Sequence, residues 1–214
     1  MHKLDRPMPP NCLRSYQHGR DNWGKVTPDH KSEIWHKLDE MQQHRCAYCE
    51  AAIKTERSNS NSHIEHLRQR SQFPQGTFLW SNLFGSCNRQ DSCGKYKDDL
   101  PVYSHQDIIK MDTDDPENFL EFLADGNVVP IKGLNQVDKH RAEETIRVFN
   151  LNGSLRQIRE TAIKGYLQTA EEFADYAVDP EVDEADWLPI LEEELNQIKH
   201  LPFTTAIKHT LLPA

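Results

Sequence analysis

No stretch of this chain approaches the roughly 18 to 20 apolar residues that a membrane-spanning helix requires, so no such helix is expected. The opening residues MHKLDRPMPPNCL are too polar and too Pro-rich for the apolar segment of a secretory signal. The expected compartment is therefore the cytoplasm, where thiols stay reduced. Cysteine is itself scarce, five among 214 residues. Under reducing conditions these thiols favour metal binding over disulfides, and the Asn152-Gly153-Ser154 glycosylation pattern is a chance match. Apolar residues make up only 36% against 28% charged, with a mean hydropathy of −0.79. That implies a modest core under a strongly solvated surface. There is no internal repeat. A nucleotide P-loop is missing too: Gly94-Lys95 has no Gly five residues earlier and Tyr96 replaces the Ser/Thr, so ATP binding is not expected.

The net charge of −9 is unevenly divided. Residues 1–100 carry 15 Lys/Arg against 12 Asp/Glu, a net of +3, and seven of the eleven histidines. Residues 101–214 carry 10 against 22, a net of −12. Phosphate binding draws on local positive charge and counterion release, which only the first half offers. The two halves face different partners.

The length fits one ordinary domain or two small ones, and the pattern divides it into three stretches. Residues 1–44 read as an irregular Pro/Gly/Asn-rich arm followed by a helix over 28–44, with Thr27 as cap and Ile34, Trp35, Leu38 and Met41 at helical spacing. Residues 45–100 lack helical periodicity and hold four of the five cysteines. A polar loop at 55–62 leads there into a short strand over 62–67. Residues 101–214 are mostly helical and acidic. Asp125-Gly126-Asn127 marks a small hairpin, a helix spans 138–149, and Ser154 caps a long helix carrying Leu155, Ile158, Ala162, Tyr166, Ala170 and Phe173 on one side. A further helix runs from about Asp186 to His200, and a short one follows Pro202. Between Glu171 and His200 there are eleven acidic residues and one Lys.

Cys46-x2-Cys49 forms a knuckle, and Cys87 and Cys93 supply a second pair about forty residues on. Two such pairs suit tetrahedral Zn²⁺, with four thiolates and a loop long enough to fold back. Between them lies His63-Ile64-Glu65-His66. On a strand, side chains alternate, so His63 and Glu65 share one face and His66 takes the other. The histidines stand three apart after a Ser/Asn-rich loop, unlike the helical i, i+4 pair of a zinc protease. Trp80-Ser81-Asn82 follows, then the second cysteine pair leading into Gly94-Lys95-Tyr96-Lys97. Trp80 and Phe84 read as core residues.

An acid beside a His, then an Asn, then a cysteine pair leading into a Lys resembles the HNH, or ββα-metal, endonuclease motif. The wider chain (LDRPMPPNCL, Tyr16, Trp23, HIEH, WSNLFGSC and CGKYKDD) resembles the PtuB family, HNH subunits of bacterial Septu antiphage systems related to HNH proteins found beside retrons. The fold this implies is α+β and mostly helical, a small zinc-stapled ββα-metal module at 45–100 embedded between helical segments. The implied activity is metal-dependent hydrolysis of DNA phosphodiester bonds. Histidine can take a proton near pH 7, and His66, in the family's His position, is the general base that the resemblance implies. Glu65 is the acid position, suited to a catalytic Mg²⁺ or Mn²⁺ that prefers oxygen. Asn82 matches the Asn that ties the strands together and aims the His. Lys97 matches the basic residue near phosphate on the following helix.

The third family position is Gly94 here, which cannot ligate. Asn88, His63, Asp91 and Asp98 are the candidates to complete the metal site. Arg57, Arg68, Arg70, Arg89 and Lys95 surround the motif, interleaved with aromatics, and are the expected nucleic-acid contacts, with backbone shape read in preference to sequence. The resemblance also implies a partner, an SMC/ABC-like ATPase of the PtuA type that gates the nuclease, docked on the acidic C-terminal helices. The competing reading is a noncatalytic zinc-binding adaptor that joins an ATPase to nucleic acid.

Overall fold

The computed structural model describes residues 1–55, 60–101 and 103–212. Thr27 opens the first helix as its position predicts: its hydroxyl accepts from the His30 N–H, and Pro28 lacks an N–H that would need a partner. Helix α1 (Pro28–Gln42) turns Ile34, Leu38 and Met41 inward. It ends two residues before the expected 44, because Gln43 and His44 both take positive φ (50° and 56°). Gln42, the last helical residue, is buried and grips the sheet: its Oε1 accepts from Gly85 N at 2.7 Å and its Nε2 donates to Gly85 O at 2.9 Å.

That sheet is two antiparallel strands, β1 (Ser62–His66) and β2 (Leu83–Cys87), pairing His63 with Ser86, Ile64 with Gly85 and Glu65 with Phe84. A short helix α2 (Cys93–Asp99) follows. The strand–strand–helix order is fixed on α1 by close approach at Gly85, where a β-carbon would fall 2.7 Å from the Trp35 ring.

The expected hairpin forms as β3 (Leu120–Phe122) and β4 (Val128–Pro130), with Gly126 in the turn at φ 83°. Helix α3 (Gln136–Val148) is capped by Asn135. The single long helix expected from Ser154 through Phe173 is instead two, α4 (Leu155–Lys164) and α5 (Leu167–Val178), broken at Gly165 and Tyr166. The apolar stripe serves two cores: Leu155 and Ile163 enter one and Phe173 the other. Ser154 does not cap; its hydroxyl donates to Asp91 and accepts from Arg89. Helices α6 (Glu184–Ile198) and α7 (Thr204–Leu211) complete the chain. The architecture is α+β and mostly helical, as expected. Among the described residues no helix is long and apolar enough to cross a membrane.

The larger core draws on the N-terminal arm, α1, the cysteine segment, both hairpins and α3. The smaller core joins Phe173, Trp187, Leu191, Ile198, Ile207 and Leu211 of α5, α6 and α7. Helix α7 is seated by Glu50, a buried carboxylate that accepts from Thr205 N at 3.0 Å and Thr205 Oγ1 at 2.5 Å, and pairs with the Met1 amino group at 3.0 Å and His2 at 2.6 Å. These partners outweigh the cost of burial and hold the Glu50 carboxyl well below its usual range. Removing one member of a buried ionic network leaves the others unmatched, at about 3–5 kcal/mol. Glu50→Ala should therefore lower the unfolding free energy in urea by that much, and an unchanged midpoint would refute the anchoring role.

Candidate functional site

The four cysteines come from three segments. Cys46 and Cys49 lie in the turn after α1, Cys87 ends β2 and Cys93 opens α2. All four are buried, and their sulfurs lie within 4.8 Å of one another. A tetrahedral zinc with Zn–S bonds near 2.3 Å sets its sulfurs roughly 3.8 Å apart, so this cluster suits such an ion. The electrostatics agree. Cys46 is held well below the usual thiol range, because contacts with Cys49, Cys87 and Cys93 outweigh the burial that opposes its ionisation. Contact with Cys46 and Cys87 pushes Cys49 well up, and burial together with Cys46 does the same to Cys93. One anion is tolerated in the cluster; more need a cation among them.

Beside it, β1 displays the expected alternation. His63 Nε2 lies 2.9 Å from Glu65 Oε2 on one face, and His63 Nδ1 lies 2.9 Å from Asn88 Oδ1. Asn88 reaches this position because the loop after Cys87 folds back, with Asn88 N donating to Asn61 O at 2.7 Å. Glu65 is 2% exposed. Burial opposes its charge, but His63 and Lys97 outweigh it and keep the carboxyl below its usual range. Its Oε1 lies 2.8 Å from Lys97 Nζ, off the line of a hydrogen bond. His63 thus stands between Glu65 and Asn88 with one ring nitrogen toward each, so the carboxylate and the amide oxygen lie on opposite sides of the imidazole and do not converge on one point. Among the described residues the cysteines form the only close group of three or more His, Cys, Asp or Glu donors.

Gly94, the departure from the motif, has a steric reason. A β-carbon there would lie 2.6 Å from Glu65 Oε2, so the bare backbone makes room for the carboxylate. Lys97 differs from its expected phosphate-facing place. It is fully buried, and its ammonium serves Glu65, Asp98 at 2.6 Å and the His66 carbonyl at 3.1 Å. Burial works against the charge of Lys97, but these carboxylates raise its affinity for the proton.

His66 is 6% exposed. Its Nε2 lies 3.0 Å from the Thr77 carbonyl, and Trp23 meets the ring edge-on at 4.6 Å between centroids. A carbonyl only accepts, so Nε2 carries the proton and Nδ1 holds the lone pair of the neutral ring. Asn82 sets this geometry. Its Oδ1 accepts from Arg68 N at 2.8 Å, and its Nδ2 donates to the carbonyls of Arg68 and Gly76, both at 3.1 Å. The end of β1 and the loop that presents Thr77 are thereby tied together.

The surrounding cations are less available than their spacing implied. Arg68 lies 3.5 Å over the Phe73 ring, Arg89 holds Ser154 and Asp91, and Asp91 accepts from the Ser154 hydroxyl. Arg70 is exposed and Lys95 half-buried, and Arg57 lies outside the described residues. Trp80 and Phe84 are core residues, as expected, with Arg6 over both rings. Sequence reasoning missed Thr77, Gln42 and the placement of Trp23 on His66, contacts made by residues far apart in the chain that leave no local pattern.

Two outcomes follow from this geometry. Metal analysis should find one zinc per chain, and Cys46→Ser or a strong chelator should collapse the melting transition, because structural zinc supplies folding energy. A zinc-free protein with an unchanged transition would refute the centre. Burial also lowers the His66 pKa from 6.5 to about 4. The folded value is depressed, so nothing is lost above pH 6.5. Below it the unfolded chain takes a proton that the folded one refuses, and stability falls by about 3 kcal/mol by pH 4. Urea midpoints of wild type and His66→Gln should converge as pH falls from 7 to 4, and parallel curves would refute the assignment.

No family model matches the chain. Among curated proteins it is similar to Septu protein PtuB of Bacillus thuringiensis, with 26% identity over 132 residues, 58% of this chain and 47% of that protein. The chain thus spans about half the length of the curated relative it matches. This similarity and the motif resemblance point to the same family.

Proposed function

We propose that this chain is a metal-dependent HNH endonuclease that hydrolyses phosphodiester bonds of DNA, the effector of an antiphage complex with an SMC/ABC-like ATPase. The observation that carries it is the His66–Thr77 contact. The carbonyl fixes the tautomer, so that Nδ1 is the proton acceptor on a ring held by Asn82 at the end of β1. With its pKa pressed down to about 4 by burial, the ring is neutral at pH 7 and free to accept a proton from an attacking water. An anionic phosphate beside it acts in the opposite direction and raises its proton affinity during reaction. Glu65, with His63, would hold the Mg²⁺ or Mn²⁺, whose chemistry would be to polarise the phosphate and stabilise the leaving oxygen; Asn88, bonded to the far nitrogen of His63, would steady that ring and would not reach the same ion. Lys97 neutralises Glu65 from the other side and holds the end of β1 through the His66 carbonyl. The zinc cluster fixes α2, and so Lys97, against the strands.

The partner reading is supported by the far end of the chain. Helices α5 and α6 expose Val178 (80%) and Ile190 (55%) among their acidic residues, a surface suited to a basic partner with apolar anchors. The relative is named Septu protein PtuB, in line with the family that the motif resembles.

The noncatalytic adaptor is favoured by one observation, the near-complete cover of His66 under Trp23. Plasmid nicking with Mg²⁺ or Mn²⁺, with and without the ATPase, separates the two. His66→Ala should cost about 10² to 10⁴ in rate, and Asn82→Ala should lower it through misplacement of the same ring. Equal nicking by wild type and His66→Ala would sink the nuclease assignment.

A further inference from the structure

The groove over the site has walls that phosphodiester hydrolysis does not by itself require. A cavity of about 230 Å³ opens at His63 and Ile64, walled by Trp23, Trp35 and Lys31. Trp23 also borders a second cavity of about 460 Å³, with Arg20, Arg70 and Thr77. Lys31 and Trp35 border a third, of about 450 Å³, along α1. Through these shared residues the three adjoin, with His63 at the middle and His66 beneath Trp23. The middle cavity is smaller than the roughly 300–1,000 Å³ that encloses a drug-sized molecule. It is the size for one planar group.

Both indoles are set before anything binds. Trp35 rests on Gly85, and Trp23 leans on His66 and on Phe78, which stacks on Tyr16 at 5.3 Å. Each remains half-exposed. Phosphate-facing cations, by contrast, are few. Arg68, Arg89 and Lys97 are engaged inside the fold, and along the groove Arg20, Arg70 and Lys31 stand against Asp21 and Asp39, with Arg20 itself paired to Asp21. A reader of intact duplex relies on phosphate neutralisation. Aromatic walls reward a base whose face is free, whatever its identity.

We propose that this groove takes a nucleic-acid strand with unpaired bases, one base seated between Trp23 and Trp35 and the adjoining phosphate on Lys31. The preferred substrate is single-stranded or locally unpaired, and intact duplex is the poorer ligand. What then happens at the phosphate rests on the nuclease reading; the binding does not.

The test is fluorescence anisotropy on the full zinc-loaded chain without Mg²⁺ or Mn²⁺, using a short labelled DNA strand of mixed sequence, the RNA strand of the same sequence, and the DNA duplex. Stacking is common to both sugars, so either strand should bind about tenfold or more tightly than duplex. Trp35→Ala should weaken strand binding roughly 5- to 150-fold, the range for one stacked base. Trp35→Phe should restore most of it, and Lys31→Ala should weaken it with an unchanged melting temperature. Equal affinity for strand and duplex overturns the proposal. So does unchanged strand binding by Lys31→Ala together with a folded Trp35→Ala. Should Trp35→Ala fail to fold, Lys31→Ala and the strand-to-duplex ratio decide. Strand binding without nicking would refute the nuclease and leave the groove standing; His66-dependent nicking of duplex without strand preference would do the reverse.

Discussion

Four sulfurs within 4.8 Å of one another are the constraint on which the site depends. They gather the turn after α1, the end of β2 and the start of α2, three segments that are separate in the chain. Such thiols cannot all ionise side by side without a dication, so metal binding and local folding are one event. Everything catalytic in the proposed scheme is carried close to these ligands. Asn82 immediately precedes the strand that ends at Cys87, and Lys97 lies one helical turn beyond Cys93. Asn88 follows Cys87 directly.

The buried Glu65–Lys97 pair is the second constraint, and it is set by the first. Two charges at 2% and 0% exposure persist only when matched, and they are matched because Cys93 fixes the start of α2 while Gly94 leaves space for the carboxylate. The glycine that breaks the motif at the sequence level is therefore a packing requirement of the acid on β1. The motif has a ligand at that position; this structure needs a gap there. Lys97 meanwhile leaves Glu65 Oε1 without an aligned hydrogen bond, so the carboxylate is charge-compensated yet retains an unfilled acceptor.

Much of this was legible because it is local. Cysteine spacing gave the metal-binding group, the period of two in His63-Ile64-Glu65 gave the shared face, and Thr27-Pro28 gave the start of α1. The failures are of one kind. The long helix from Ser154 divides because its stripe meets two cores, and no local pattern tells which residues meet which core. Arg89 and Lys97 look like phosphate contacts in a basic stretch, but Ser154, some sixty residues on, and a strand carboxylate claim them. Thr77 entered no sequence argument because its main-chain carbonyl, not its side chain, meets His66.

The distribution of charge then acquires a physical meaning. The first hundred residues carry only a small positive excess, and several of those cations are held inside the fold, so long-range attraction to a polyanion is weak. The second part is strongly acidic and repels one. If the chain is the nuclease proposed above, it gains little from nonspecific electrostatic capture, the term that dominates ordinary DNA affinity. Its His66 also sits under Trp23, so access to the base has to be won by contacts made in the groove or by a partner that shifts the arm. On the proposed nuclease reading, weak capture and a covered base act in the same direction: both would keep the chain from cutting whatever nucleic acid it meets, and both would leave control to the proposed partner.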